Sequence, residues 1–118
     1  MNYIMNCPFR LLEQAFENLY PGKKYTAVFD TMMPLGLFKK VYGETLFPDS
    51  KEDGDPIIKL NAKVNIIILP EIYAHEMAHV VAGIDHGHDL VWEDHFEAIF
   101  QEFGRLVKEK GWSETENA

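Results

Sequence analysis

The sequence predicts a small α+β domain, and three observations carry that prediction. An amphipathic helical period runs through residues 9–19. Short β-branched and aromatic runs, broken by Pro and Gly, follow between residues 24 and 69. Two more helical segments come last, one with a histidine pair a single turn apart and one with a long apolar stripe. A chain of 118 residues fits one domain, here residues 1–111, with 112–118 expected to be a disordered tail. Apolar residues make up 47% of it, which suffices for a modest core.

In the first helix Phe9, Leu12, Phe16 and Leu19 share one face, Pro8 suits the first turn and Pro21-Gly22 stops it. Lys24 to Asp30 reads as a strand. Met32-Met33-Pro34 breaks it, and Leu35 to Tyr42 reads as a second strand closed by Gly43. Pro48 to Pro56 is an acidic, turn-rich surface loop; the residues after Gly54 lack the spaced carboxylates of a calcium loop. Pro56 to Leu60 is a short strand, and Asn65 to Leu69 a further strand or a buried extended connection, giving a sheet of three to four strands. A helix starts at Pro70 and runs to about Ala82, ended by Gly83. Asp85-His86-Gly87 separates it from a long final helix, about His88 to Lys110, with Gly111 as its stop.

Charge excludes some functions. With 19 acidic against 11 basic side chains the net charge is −8, so strong nucleic-acid binding is not expected of this chain alone. The basic doublets Lys23-Lys24 and Lys39-Lys40 read as solvated surface. One cysteine, Cys7, permits neither an internal disulfide nor a thiolate cluster. No signal peptide is visible, and Ile66-Ile67-Ile68-Leu69 is too short to span a bilayer, so a soluble, cytoplasmic protein without membrane contact is expected.

The chemistry lies in His75-Glu76-Met77-Ala78-His79. On a helix the i, i+4 spacing places both imidazoles on one face, able to grip one cation. Glu76 is rotated about a quarter turn away, placed to take a proton from a metal-bound water rather than to ligate. A catalytic zinc needs a third protein ligand and an open position. His86, His88, His95, Asp85, Glu93 and Glu97 compete for it. The final helix carries an apolar stripe of Trp92, Phe96, Ile99, Phe103 and Leu106, and His88 lies one turn before Trp92 on that stripe. Glu93 faces away, and His95 lies about 10 Å further along. The stripe therefore favours His88, with His86 and the carboxylates as the remaining choices. His86 and His95 are candidates for substrate contacts or for supporting hydrogen bonds. Tyr42 and Tyr73 read as core or surface first and as carbonyl-polarising groups second.

Residues 71–100, from Glu71 through His75-Glu76-Met77-Ala78-His79 and Gly87-His88-Asp89-Leu90-Val91-Trp92 to Phe100, resemble the SprT-like family of zinc metallopeptidases. That family carries a HExxH helix, a short loop, and a third His followed four residues later by Trp or Phe. The resemblance implies one zinc ion held by His75, His79 and His88, Glu76 as general base, a zincin-like fold and a protein or peptide substrate. Asp89 stands where many members have Gly. Larger relatives carry a cysteine-based zinc ribbon or a DNA-binding extension; this acidic chain has neither, and the family's link to DNA-crosslinked proteins is not carried over.

Two other patterns are near. A metzincin arrangement puts its third ligand at Asp85, but it wants Gly where Ala82 stands and a methionine downstream, and no Met follows Met77. His79 to Asp85-His86 resembles the metal motif of YbeY-type endoribonucleases, one residue too long. A metal-binding interaction module without turnover is the non-enzymatic alternative. In the hydrolytic reading, the segment Pro56 to Leu60 is the expected sheet edge for a substrate strand.

Overall fold

The structure, a computed structural model, describes residues 7–49 and 54–110. The element order is α1 (Pro8–Leu19), β1 (Thr26–Asp30), β2 (Gly43–Leu46), β3 (Ile57–Asn61), α2 (Leu69–Ala82) and α3 (Leu90–Glu109). The three strands make one sheet in the order β1-β3-β2, with β1 parallel and β2 antiparallel to β3. Gly111, the tail and residues 50–53 of the acidic loop lie outside the described residues. Among the described residues no helix is long and apolar enough to cross a membrane.

The helices pack around α2. Its Leu69, Tyr73, Ala74, Met77, Ala78 and Val80 are buried, together with Leu12 and Phe16 of α1, Ile58 and Leu60 of β3, and Ile99 of α3. α1 is held on a wider face than a single stripe. Leu12 and Phe16 join this main core, while Leu11 and Ala15 pack on Leu106 of α3. Leu19, expected inside, is 37% exposed, because α1 ends just as it leaves that sandwich. Buried tyrosines keep their hydroxyls satisfied in one chain: Tyr25 pairs with Tyr73 at 2.8 Å, and Tyr73 donates to Glu13 Oε2 at 2.8 Å. Burial pushes the Tyr25 hydroxyl up to about 12, and Tyr73 is raised further for the same reason.

Three expectations change. Residues 35–42 form a pinned loop rather than a strand. Pro34 O accepts from Val41 N at 2.9 Å and Lys39 O from Gly36 N at 2.9 Å, closing a tight turn with a single bridge between Leu35 and Lys40. The strand begins only at Gly43, the residue read as its stop. Asn65 to Leu69 is likewise a turn entering α2. Asn65 Oδ1 accepts from Ile67 N at 2.9 Å, and its carbonyl accepts from Ile68 N and Leu69 N. This local bonding overrides the β-propensity of the isoleucines, and Ile66 and Ile67 stand 64% and 81% exposed. Finally, β3 is the central strand, paired on both sides, so Pro56 to Leu60 is no free edge; the edges are β1 and β2.

Asn61 ties the pinned loop to the sheet. It is fully buried, its amide donates to Val41 O at 2.7 Å and more weakly to Pro34 O and Met33 O, and its Oδ1 accepts from Lys63 N at 2.9 Å. Replacing Asn61 by Ala strands these carbonyls in a dry site. The expected loss is about 2 kcal/mol, read as a lower urea midpoint with an unchanged slope.

Candidate metal centre

Three imidazoles converge beside α2. His75 and His79 stand one turn apart on the helix, where Pro70 opens the first turn and Gly83, at φ +94°, ends the last. His88 reaches them from the connection to α3. Its Nε2 lies 2.9 Å from His75 Nε2 and 3.1 Å from His79 Nε2, and one ligand atom from each of the three falls within 4.8 Å of the others. Ligand nitrogens held tetrahedrally at about 2.0–2.1 Å from a zinc ion stand about 3.3 Å apart. The two contacts on His88 are within a few tenths of an ångström of that spacing. Among the described residues, this is the one such cluster of metal-ligating side chains.

His88 is not in the first turn of α3. It precedes the helix, whose N-cap is Asp89: Asp89 Oδ1 accepts from Trp92 N at 3.0 Å. Asp89 Oδ2 also pairs with His86 Nδ1 at 2.7 Å. The cap fixes where the helix begins, and the His86 pair closes the loop that carries His88. Asp89 is drawn below the usual carboxylate range by His86 first and by the Trp92 amide second. His86 is thus a loop clamp and not a member of the cluster. His95 is engaged elsewhere, its Nδ1 lying 2.8 Å from the Tyr20 hydroxyl. Asp85, Glu93 and Glu97 are not drawn into the cluster.

Trp92 supplies the seat. Its indole ring lies 4.7 Å from the rings of both His75 and His88 and 5.5 Å from His79, and Phe96 stacks behind it at 5.2 Å. Its Nε1 donates to the His75 carbonyl at 3.1 Å. The stripe of α3 therefore does turn toward α2, and Trp92 touches all three imidazoles.

Glu76 stands at the edge of the cluster, its Oε2 3.9 Å from His75 Nε2. It is only 6% exposed, and Thr45 of β2 donates to its Oε1 at 2.7 Å and to its carbonyl at 3.2 Å. Gly43 makes this approach possible. A Cβ there would stand 2.8 Å from Ile72 Cγ2 and 3.2 Å from both Glu76 Cγ and Oε2. Sequence reasoning missed Thr45 and Gly43, because neither belongs to a motif and β2 itself was not foreseen. Tyr73 is a core residue, whereas the exposed Tyr42 lines a cavity of about 280 Å³ with Ile72 and Glu76.

Electrostatics favour neutral ligands. Burial pushes His75 down to about 4, and the rings of His79 and His88 add to the shift. His79 is lowered by burial first and by His88 second, opposed by a backbone hydrogen bond to His86. Burial raises Glu76, Glu44 adds to it, and the Thr45 hydrogen bond opposes it. A neutral imidazole is the ligand form, so protons compete little with a metal at neutral pH.

Two outcomes are expected. In the metal-free protein the His75 ring signals should titrate near 4 by NMR, against the ordinary value of 6.5. Between those values the unfolded chain binds more protons, so the His75 contribution to stability is present above 6.5 and is lost as pH falls toward 4. His79 has the same sign, and Glu76, raised, has the opposite one. Second, His88→Ala should abolish stoichiometric metal by elemental analysis after zinc loading, while Asp85→Ala should retain it. Full retention in the His88 variant removes it from the ligand set.

No protein-family model, curated protein or solved structure matches this chain.

Proposed function

We propose that this domain is a cytoplasmic zinc metallopeptidase, similar to the SprT-like family, that hydrolyses peptide bonds with Glu76 as general base. The observation that carries the reading is the division of labour at the cluster. Three imidazole nitrogens converge, while the neighbouring carboxylate is buried beside them, outside that cluster, with one oxygen bonded by Thr45.

Three nitrogen donors suit zinc, and the described residues bring no fourth protein ligand to the cluster, whereas structural zinc is normally closed by four. A zinc ion held by His75, His79 and His88 would supply Lewis-acid chemistry at this site. Glu76 then takes the proton of the attacking water and returns it to the leaving amine. Its raised pKa brings it closer to neutral working conditions. The cleft at the cluster, about 480 Å³, is lined by Thr45, Leu46, Glu76, His79 and His88 among others. Beside it runs β2, which is paired only with β3 among the described residues and so offers backbone groups to an extended chain. The net charge of −8 favours a protein over a nucleic-acid substrate, and the lone Cys7 is compatible with a reducing compartment.

Glu76→Gln is the test. Its amide oxygen still accepts from Thr45, so the fold should persist. Zinc should stay stoichiometric by elemental analysis while cleavage of an unfolded protein substrate falls by about 10²–10⁴. Wild type that binds zinc and cleaves neither protein nor peptide would instead establish a metal-binding module without turnover.

A further inference from the structure

Next to the cluster cleft lies a second, larger space that the proposed hydrolytic chemistry does not use. This cavity, about 790 Å³, is lined by Val80 and Val81 of α2, Gly83 and Ile84 just after it, and Phe47 just after β2, among others. It shares Phe47, Gly83 and Ile84 with the metal cleft, so the two adjoin. β2 runs alongside α2: Gly43 lies against Ile72 and Glu76, and Phe47, just after β2, lines the same pocket as Gly83 and Ile84. A chain laid along β2 past the histidines therefore arrives at this space within a few residues.

Charge does not define the occupant. Lys23 and Lys24 on the rim are matched by Asp49 and Asp55, two against two. What remains is the apolar surface. Ile84 is 73% exposed there, an arrangement with no benefit to the isolated fold. The volume lies within the range that holds compact ligands, and it exceeds what one side chain fills.

We infer that this pocket is a specificity subsite that takes one or two large apolar side chains of an extended polypeptide substrate. The inference rests on the hydrolytic reading above for the word substrate, but the pocket itself is tested by binding. Its specificity lies in Phe47, Val81 and Ile84, none of which belongs to the three-histidine cluster.

The experiment uses the full chain carrying Glu76→Gln, zinc-loaded and isotope-labelled, titrated with a blocked pentapeptide containing adjacent Leu and Phe, and with its all-Ala counterpart. The amide signals of Phe47, Val81, Gly83 and Ile84 should move with the first peptide, and the second should bind at least about tenfold more weakly. Ile84→Lys, at an exposed position, should weaken the apolar peptide by about tenfold with zinc content and unfolding midpoint unchanged. Equal affinity for the two peptides, no effect of Ile84→Lys, or shifts that follow protein concentration alone overturn the subsite. Selective binding here without cleavage by wild type overturns the hydrolytic reading and keeps the pocket. Cleavage by wild type without preference for apolar residues does the reverse.

Discussion

The packing of Trp92 against the histidines is the contact on which the rest of the site depends. His75 and His79 are placed by one helix, but His88 comes from a connection whose position relative to that helix is set only by how α3 docks. Trp92 settles the docking twice over. Its ring lies against all three imidazoles, and its Nε1 bonds to the carbonyl of His75 itself. Aromatic contact alone would tolerate sliding along the helix, whereas the directional hydrogen bond fixes the register. Phe96 behind the indole, and Ile99 and Leu106 further along, bind the same face of α3 to the core. A ligand set drawn from two segments is thus held by a contact within four residues of its third member.

The opposite wall is set by backbone rather than by a large side chain. β2 reaches α2 because Gly43 has no Cβ to meet Ile72 and Glu76, and that approach lets Thr45 bond the carboxylate. Burial first and Glu44 second raise the pKa of Glu76, and a donor at 2.7 Å restrains that rise while fixing which oxygen remains free. Oε1 is occupied by Thr45, and Oε2 is the atom turned toward His75. The same strand therefore orients the Glu76 carboxylate and, among the described residues, leaves its outer edge open beside it.

These roles explain what was readable in the sequence. α1 and α2, together with most of α3, followed from apolar period and from Pro and Gly punctuation, since those are local signals. The histidines followed from spacing on a helix and from the stripe headed by Trp92. His88 lies beside His75 and His79, but not at the start of the helix as the stripe implied; the cap at Asp89 puts it just outside. The strand pattern failed where short-range bonds compete with propensity. Pro34 and Asn65 close turns that β-branched and aromatic neighbours do not reveal. β2, with one Gly and one Thr as its working residues, has almost no apolar alternation, and its place beside α2 is a tertiary fact. Thr45 and Gly43 were unreadable for that reason.

The arrangement also bears on the energetics of metal capture. Gathering three imidazoles normally costs side-chain entropy when the metal arrives, and any ring that is protonated must first lose its proton. Under the proposed metal-binding role, folding itself meets part of both costs. The rings are already packed on Trp92 with nitrogens near ligand spacing, and burial holds His75 and His79 below their ordinary pKa. The loop bearing His88 is closed independently by Asp89, which caps α3 with one oxygen and pairs with His86 through the other. A histidine outside the cluster and an aspartate that departs from the motif therefore have a shared reason to be there: they close the loop that brings His88 to the cluster.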